Sequence, residues 1–171
     1  GVTVASGNLI TLDALNKIRV HSGISINVNS SFNFGFVNPR GLDFDGTNLM
    51  STSDGDNKRY LLSGIGNFPI ASPLLPFYNS PRGIMWDGTL PWTADAANST
   101  IAQFTWGSTI ITSFPAQSSA VAGLVFDGAN LIEGNRTLDT IFIHNGLNSG
   151  IASSFPIGSV APQMTDMAIV P

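Results

Sequence analysis

The chain holds 171 residues, with seven Lys and Arg against eleven Asp and Glu and a formal charge of −4. Its cations, Lys17, Arg19, Arg40, Lys58, Arg59, Arg82 and Arg136, are scattered and form no run able to neutralise successive phosphates, which argues against a nucleic-acid partner. The absence of cysteine removes disulfide and thiol chemistry, and no apolar stretch is long enough to span a bilayer, so membrane insertion is not expected.

Taken from the amino terminus, Gly7-Asn-Leu-Ile-Thr-Leu-Asp13 aligns with Gly46-Thr-Asn-Leu-Met-Ser-Thr52, and Lys17-Ile-Arg-Val-His-Ser-Gly23 with Lys58-Arg-Tyr-Leu-Leu-Ser-Gly64. The pairs Asn8-Leu9, Asn48-Leu49, Thr89-Leu90 and Asn130-Leu131 recur at steps of 40, 41 and 41 residues. Before three of them lies one motif: Pro39-Arg-Gly-Leu-Asp-Phe-Asp-Gly46, Pro81-Arg-Gly-Ile-Met-Trp-Asp-Gly88 and Val121-Ala-Gly-Leu-Val-Phe-Asp-Gly128. Leu42 and Phe44, Ile84 and Trp86, and Leu124 and Phe126 alternate with other residues, the period of a strand. Asp45-Gly46, Asp87-Gly88 and Asp127-Gly128 then mark hairpins, because glycine reaches positive φ cheaply and aspartate bonds its own backbone. Further strands are expected at Asn48–Ser51, Arg59–Leu62 and Ile70–Phe77, four per repeat. Leu9, Leu12 and Leu15 could share a helical stripe, but Asp54-Gly55-Asp56 and Asn98-Ser99 near the same place in other copies favour a turn.

Pro162-Gln-Met-Thr-Asp-Met-Ala-Ile169 stands where another copy of the Pro-Arg-Gly motif would begin, while residues 1–36 carry the rest of a unit. A ring whose last unit joins both ends explains that phase shift, since it removes raw sheet edges. The repeat cores fall near 39–78, 81–115, 121–156 and 162–171 joined with 1–36, within one domain spanning 1–171. Phe44, Trp86, Phe126 and Met167 are the expected wedges between blades. The runner-up is a longer ring built from two open chains.

The motif at 39–46, 81–88 and 121–128 resembles that opening the blades of β-propellers of the YVTN/NHL-like class. The departures are Ala122 and Gln163 in place of arginine, Met164 in place of glycine, and the proline of Thr89-Leu-Pro-Trp92, which interrupts a second strand. The resemblance implies an all-β fold: a small four-bladed propeller of four-stranded antiparallel blades, closed by pairing of the C-terminal strand with the N-terminal segment. Such propellers are mostly interaction scaffolds, and some belong to enzymes.

Chemistry is sparse. His21 and His144, the two histidines, sit in no ligand cluster and read as blade-surface or packing residues, and no Gly-x-Ser-x-Gly elbow supports a hydrolase. Asp45, Asp87 and Asp127 read as turn residues. Asp43 and Asp166, inside inner strands, would meet near the axis in adjacent blades and are the candidates for Ca2+ or Mg2+, although two carboxylates fall short of a calcium cage. Arg40, Arg82 and Gln163 would gather at one end of the axis, able to recognise a carboxylate or sugar hydroxyls. Trp92 and Trp106 are the candidates for stacking on a sugar ring.

Only 11% of residues are charged, which leaves the surface weakly protected against association. The function expected is therefore a non-enzymatic structural or interaction module, supporting self-assembly or recognition of protein partners, with no cofactor. A glycan-binding lectin and a propeller enzyme with an axial metal are the alternatives. Low charge, missing cysteine and many small polar residues suggest an extracellular or virion-associated setting. Asn29, Asn98 and Asn135 open N-glycosylation acceptor patterns, and the start at Gly1, without methionine or a basic leader, points to processing or a fragment.

Overall fold

A computed structural model describes residues 1–13, 15–66, 69–71, 79–158 and 166–169. The architecture is all-β: four antiparallel four-stranded sheets, each consecutive in sequence, arranged as a four-bladed propeller. The first blade holds β1 (Val2–Ala5), β2 (Asn8–Leu12), β3 (Lys17–His21) and β4 (Val28–Asn33). The second holds β5 (Pro39–Phe44), β6 (Leu49–Ser53), β7 (Lys58–Leu62) and β8 (Pro69–Ala71). The third holds β9 (Pro81–Trp86), β10 (Pro91–Asp95), β11 (Thr100–Phe104) and β12 (Ile110–Pro115). The fourth holds β13 (Val121–Phe126), β14 (Leu131–Asn135), β15 (Thr140–His144) and β16 (Ile151–Pro156). No α-helix occurs among the described residues.

Local chemistry accounts for the hairpins. Asp45 Oδ1 accepts the N–H groups of Thr47 and Asn48, and Asp87 and Asp127 repeat the arrangement on Thr89 and Leu90 and on Ala129 and Asn130. Gly46, Gly88 and Gly128 supply φ of 93°, 94° and 97°. The recurrent Asn-Leu pair also has a physical cause. The amide oxygens of Asn8, Asn48 and Asn130 accept the N–H groups of Gly23, Gly64 and Gly146, each at 3.0 Å, stapling the far end of the β2–β3 type of hairpin to its start. Pro91, read from the sequence as an interruption, is the first residue of β10, a place where a missing N–H is tolerated. The leucine stripe near the amino terminus ends as expected in a turn: β2 stops at Leu12, and Asp13 Oδ1 accepts the N–H groups of Leu15 and Lys17.

The first blade differs from the sequence expectation in its inner strand. Val2–Ala5 fills that position, turning into β2 through Ser6 and Gly7 at φ 51° and 75°, the two-residue turn with both φ positive. The first blade therefore has four strands of its own. The carboxyl-terminal residues 166–169 form no strand, and they meet the amino-terminal segment through a side chain: Asp166 Oδ2 accepts the N–H groups of Val2 at 2.9 Å and Leu42 at 3.0 Å. Gln163, Met164, Thr165 and the expected strand residues 72–77 lie outside the described residues.

Glycines at one register set how closely the inner strands approach. A Cβ on Gly41 would stand 2.5 Å from Arg82 O, one on Gly83 2.6 Å from Leu124 N, and one on Gly123 2.8 Å from Asp166 Cα. Each inner strand thus backs onto the next in the order β1, β5, β9, β13, and the segment 166–169 follows β13. Asp166 stands in the glycine register, two places from the alignment the sequence letters suggested, because backbone approach to Gly123 decides the placement.

Two apolar clusters fill the first and third seams. Ile10, Leu12 and Ile18 of the first blade meet Leu49, Tyr60 and Leu62 of the second, and Trp92, Ala94 and Ile101 of the third meet Leu124 and Leu131 of the fourth. The second seam is held by Arg59, whose guanidinium carbon lies 4.6 Å from the Phe104 ring centroid and 5.6 Å from that of Trp106, while Nη2 donates to Thr105 O at 2.9 Å. The space between the fourth and first blades is different. Ile10, Met50 and Trp92 are buried to 1% exposure or less, whereas the equivalent Ile132 is partly exposed; so is Ile141 where Ile18, Arg59 and Ile101 are at 0%. On the facing wall, Leu9, Thr11 and His21 are partly exposed although Leu49, Ser51 and Leu62, their counterparts in the second blade, are at 0%.

Candidate functional site

The inner strands and residues 167–169 surround an axial cavity of about 200 Å³. Its walls carry Thr3, Asp43, Phe44, Trp86, Phe126 and Met167. Phe44, Trp86 and Phe126 are each the last residue of an inner strand and are only partly buried. The wedge role expected of them holds for two: Phe44 packs against the apolar cluster of the first seam and Phe126 against that of the third, while fully buried side chains farther out, Trp92 and Phe104 among them, fill the rest of the seams.

Asp43 enters the cavity wall with both oxygens engaged. Oδ1 accepts Thr3 Oγ1 at 3.0 Å and Oδ2 accepts the Trp86 N–H at 2.7 Å, so one carboxylate ties together three consecutive blades. Burial pushes its pKa up to about 6 against the opposing pull of those hydrogen bonds. Asp166 is also buried, which pushes its pKa up to about 7, although the nearby amino-terminal ammonium pulls it down. Its Oδ1 has no hydrogen-bond partner. Three of the four oxygens of Asp43 and Asp166, the pair expected from the sequence to meet near the axis, serve N–H or O–H donors, which suits an acceptor role in the ring. Among the described residues no group of three or more His, Asp or Glu side chains could hold a metal ion.

At the opposite end of the inner strands Arg40 and Arg82 come together on one carboxylate. Arg40 Nη2 lies 3.1 Å and Arg82 Nη2 3.4 Å from Asp54 Oδ2, and Arg82 Nε donates to Ser80 Oγ at 3.1 Å. Burial lowers the Arg82 pKa, and Asp54 resists that shift. The third expected member of the group, Gln163, lies outside the described residues.

The two tryptophans are committed to the fold. Trp92 is 1% exposed, packs among Ala94, Ile101 and Leu131, and donates Nε1–H to Asp87 Oδ2 at 2.7 Å. That burial removes it as a platform for a sugar. Trp106, partly exposed, stands over Arg59. Asp87 thereby does more than close a turn, since Oδ2 also accepts Gln103 Nε2 at 2.7 Å; burial raises its pKa, but the hydrogen bonds from Thr89, Leu90 and Trp92 outweigh it and hold the group below the usual range.

Two buried groups escaped the sequence reading. Arg59 looked like one scattered cation among seven. Glu133 is fully buried with both oxygens near the Gln117 N–H, at 3.1 and 3.2 Å, and with Oε2 3.3 Å from His144 Nε2. His144 Nδ1 faces Asn148 O at 2.8 Å, and its ring centroid stands 5.4 Å from that of Phe114 in the third blade. In the first blade the same pair of positions carries Thr11 and His21, with Thr11 Oγ1 3.0 Å from Nε2. Repeat alignment of His144 with His21 and of Glu133 with Thr11 was the available signal.

No protein-family model and no curated protein sequence matches the chain. Solved structures do. A glutaminyl cyclase of Myxococcus xanthus superposes with a TM-score of 0.82 at 12% identity, covering 100% of this chain and 80% of that one. A chain of a nidogen/laminin complex gives 0.69 at 18%, covering 91% and 62%, and one of a mitotic checkpoint complex gives 0.65 at 14%, covering 99% and 56%. At these identities the likeness is one of fold, the β-propeller.

Proposed function

We propose that the chain is a non-enzymatic interaction module of the YVTN/NHL-like kind, which joins protein partners, further copies of itself among them, through the outer edges of its blades. One observation carries this reading. The outer strands β4, β12 and β16 read VNSSFN, IITSFP and IASSFP, contain no charged residue, and are exposed along nearly their whole length. Natural edge strands are ordinarily blunted by lysine, by inward charges or by a covering element, because unpaired N–H and C=O groups beside apolar side chains template pairing with another strand. Here Val28, Ile111, Ile151 and Phe155 stand exposed on those strands. Extended segments of a partner can add to such edges through main-chain hydrogen bonds. The low charge of the whole chain supports the same reading, and with the missing cysteine it supports an extracellular or virion-associated setting.

The absence of a cofactor is part of this proposal. Asp43, Asp87, Asp95 and Glu133 each spend their oxygens on backbone or neighbouring side chains.

Light scattering on a size-exclusion column over a wide concentration range tests the proposal, with Ile111→Lys and Ser153→Lys placed on two outer strands. The expected result is a mass above the 18.0 kDa of one chain that returns to it in the double variant. A wild-type chain that stays monomeric at every concentration, and a double variant indistinguishable from it, would contradict self-assembly through these edges.

A further inference from the structure

We propose that the space between the fourth and first blades is a fifth blade position, and that it takes three antiparallel strands of a partner polypeptide laid outside residues 166–169. The site is separate from the blade edges proposed above for assembly. Backbone approach at the axis sets the number of positions. A Cβ on Gly1 would stand 2.8 Å from Arg40 O and 2.9 Å from Leu42 N, the groups on either side of Gly41. One on Gly41 meets Arg82 O and Ile84 N, on either side of Gly83; one on Gly83 meets Gly123 C and Leu124 N; and one on Gly123 meets Asp166 Cα and Met167 N. Asp166 continues the series, because its Oδ2 accepts the N–H of Val2, the residue after Gly1. The described residues thus give five inner stations, at 1, 41, 83, 123 and 166, and the circuit returns to its start. Four stations lie in or beside β1, β5, β9 and β13, each of which is followed by three more strands of its sheet. The fifth holds 166–169, which form no strand.

The walls of this position are those of a seam without its filling. In the first seam Ile10, Ile18 and Val20 of one blade pack in a single cluster with Leu49, Tyr60 and Leu62 of the next. The fourth blade carries Ile132, Ile141 and Ile143 at the positions of Ile10, Ile18 and Val20, and all three are partly exposed. Facing them, the first blade carries Leu9, Thr11 and His21 at the positions of Leu49, Ser51 and Leu62, again partly exposed. An isoleucine wall opposite a more polar one suits a sheet with an apolar face toward the fourth blade and a mixed face toward the first. Its first strand would pair beside 166–169 as β2 pairs beside β1, through main-chain hydrogen bonds. A second folded copy fits less well, because each of its sheets already has a face packed on a neighbouring blade, whereas this position needs a sheet free on both faces. The solved propeller that takes in the whole of this chain has about a fifth of its own length left over, one blade's share in a ring of five.

The test adds to the folded chain a labelled synthetic peptide of residues 47–71, the sequence of β6, β7 and β8, and follows fluorescence anisotropy and backbone amide exchange. Leu49, Tyr60 and Leu62 of that peptide are the side chains that meet Ile10 and Ile18 in the first seam, so they suit Ile132 and Ile141. Binding is expected to slow exchange roughly tenfold in β2–β3 and β14–β15 while β6–β7 and β10–β11 stay as they were. A scrambled peptide is expected to protect nothing. Ile141→Lys, at a site already partly exposed, is expected to weaken binding by roughly tenfold in a chain that still folds, whereas Ile111→Lys on an outer strand leaves it unchanged and so separates this site from the edges. The same segment joined after Pro171 by a flexible linker acts at an effective concentration of roughly millimolar and is expected to raise the melting temperature even where the free peptide binds weakly. A tethered segment that neither raises the melting temperature nor slows exchange beside 166–169, protection spread evenly over the four blades, or binding indifferent to Ile141→Lys would overturn the assignment.

Discussion

The seam between the second and third blades and the seam between the fourth and first are built from the same repeat positions, yet they are physically opposite. In the first of these, Met50, Arg59, Ile84, Ala102 and Phe104 are all at 0% exposure, and a guanidinium lies over two rings. In the second, Ile132, Ile141, Leu9 and Thr11 keep part of their surface, and the tie at the axis comes from Asp166 and its contacts with Val2 and Leu42. A repeat dictates which residues could meet; burial shows which do. Three seams are closed cores, and the fourth is a joint.

The sharpest break of this comparison comes from the closed side. Alanine at Gly83 would put a Cβ 2.6 Å from Leu124 N and 2.9 Å from Gly123 C, where only backbone could yield. Gly83→Ala is expected to destabilise by about 3 kcal/mol, read from denaturant midpoints, and a loss below about 1 kcal/mol would mean the inner strands can slide apart. Next comes a matched pair across the seams. Met50→Ala is expected to cost about 2 to 5 kcal/mol, as a fully buried side chain leaving a cavity, and Ile132→Ala, its structural counterpart on the open joint, clearly less. Equal losses would place the two seams on the same footing.

A smaller effect follows from pH. Folding raises Asp43 and Asp166 from 3.8 to about 6 and about 7, so between roughly pH 4 and 7 the native state holds protons that the unfolded chain has released. Stability contributed by these groups is complete below the unfolded value and is lost as pH rises through the folded ones. Melting temperature should therefore fall from pH 5 to pH 8, and Asp166→Asn should flatten that fall. A melting temperature that rises over this interval would reverse the assigned sign.

Much of this was legible in the letters because turn chemistry and alternation are local. The aspartate and glycine of each hairpin, and the alternation of Leu42 with Phe44, specify strands wherever they recur. The inner strand Val2–Ala5 was not legible, since it carries none of the Pro-Arg-Gly motif and turns through two residues where the other blades use four. Its partner at the axis, Asp166, was recognised as an inner-segment residue but assigned two positions away from its register, because alignment weighs side chains and the ring is fitted by backbone approach at glycine. Trp92 was read as exposed beside a proline, yet the proline simply starts β10 and directs the indole inward to Asp87. Arg59 and the Glu133–His144 pair depend on contacts between blades or between distant residues of one blade, which no local pattern announces.

Hydrogen exchange of backbone amides tests the asymmetry of the ring most directly, because every blade supplies an antiparallel β-hairpin at these positions while the seams beside them differ in burial. Amides of β2–β3 and β14–β15, which flank the joint, are expected to exchange faster than their counterparts in β6–β7 and β10–β11. Equal protection in the four hairpins, or slower exchange beside the joint, would contradict an open fourth seam held at the axis by Asp166.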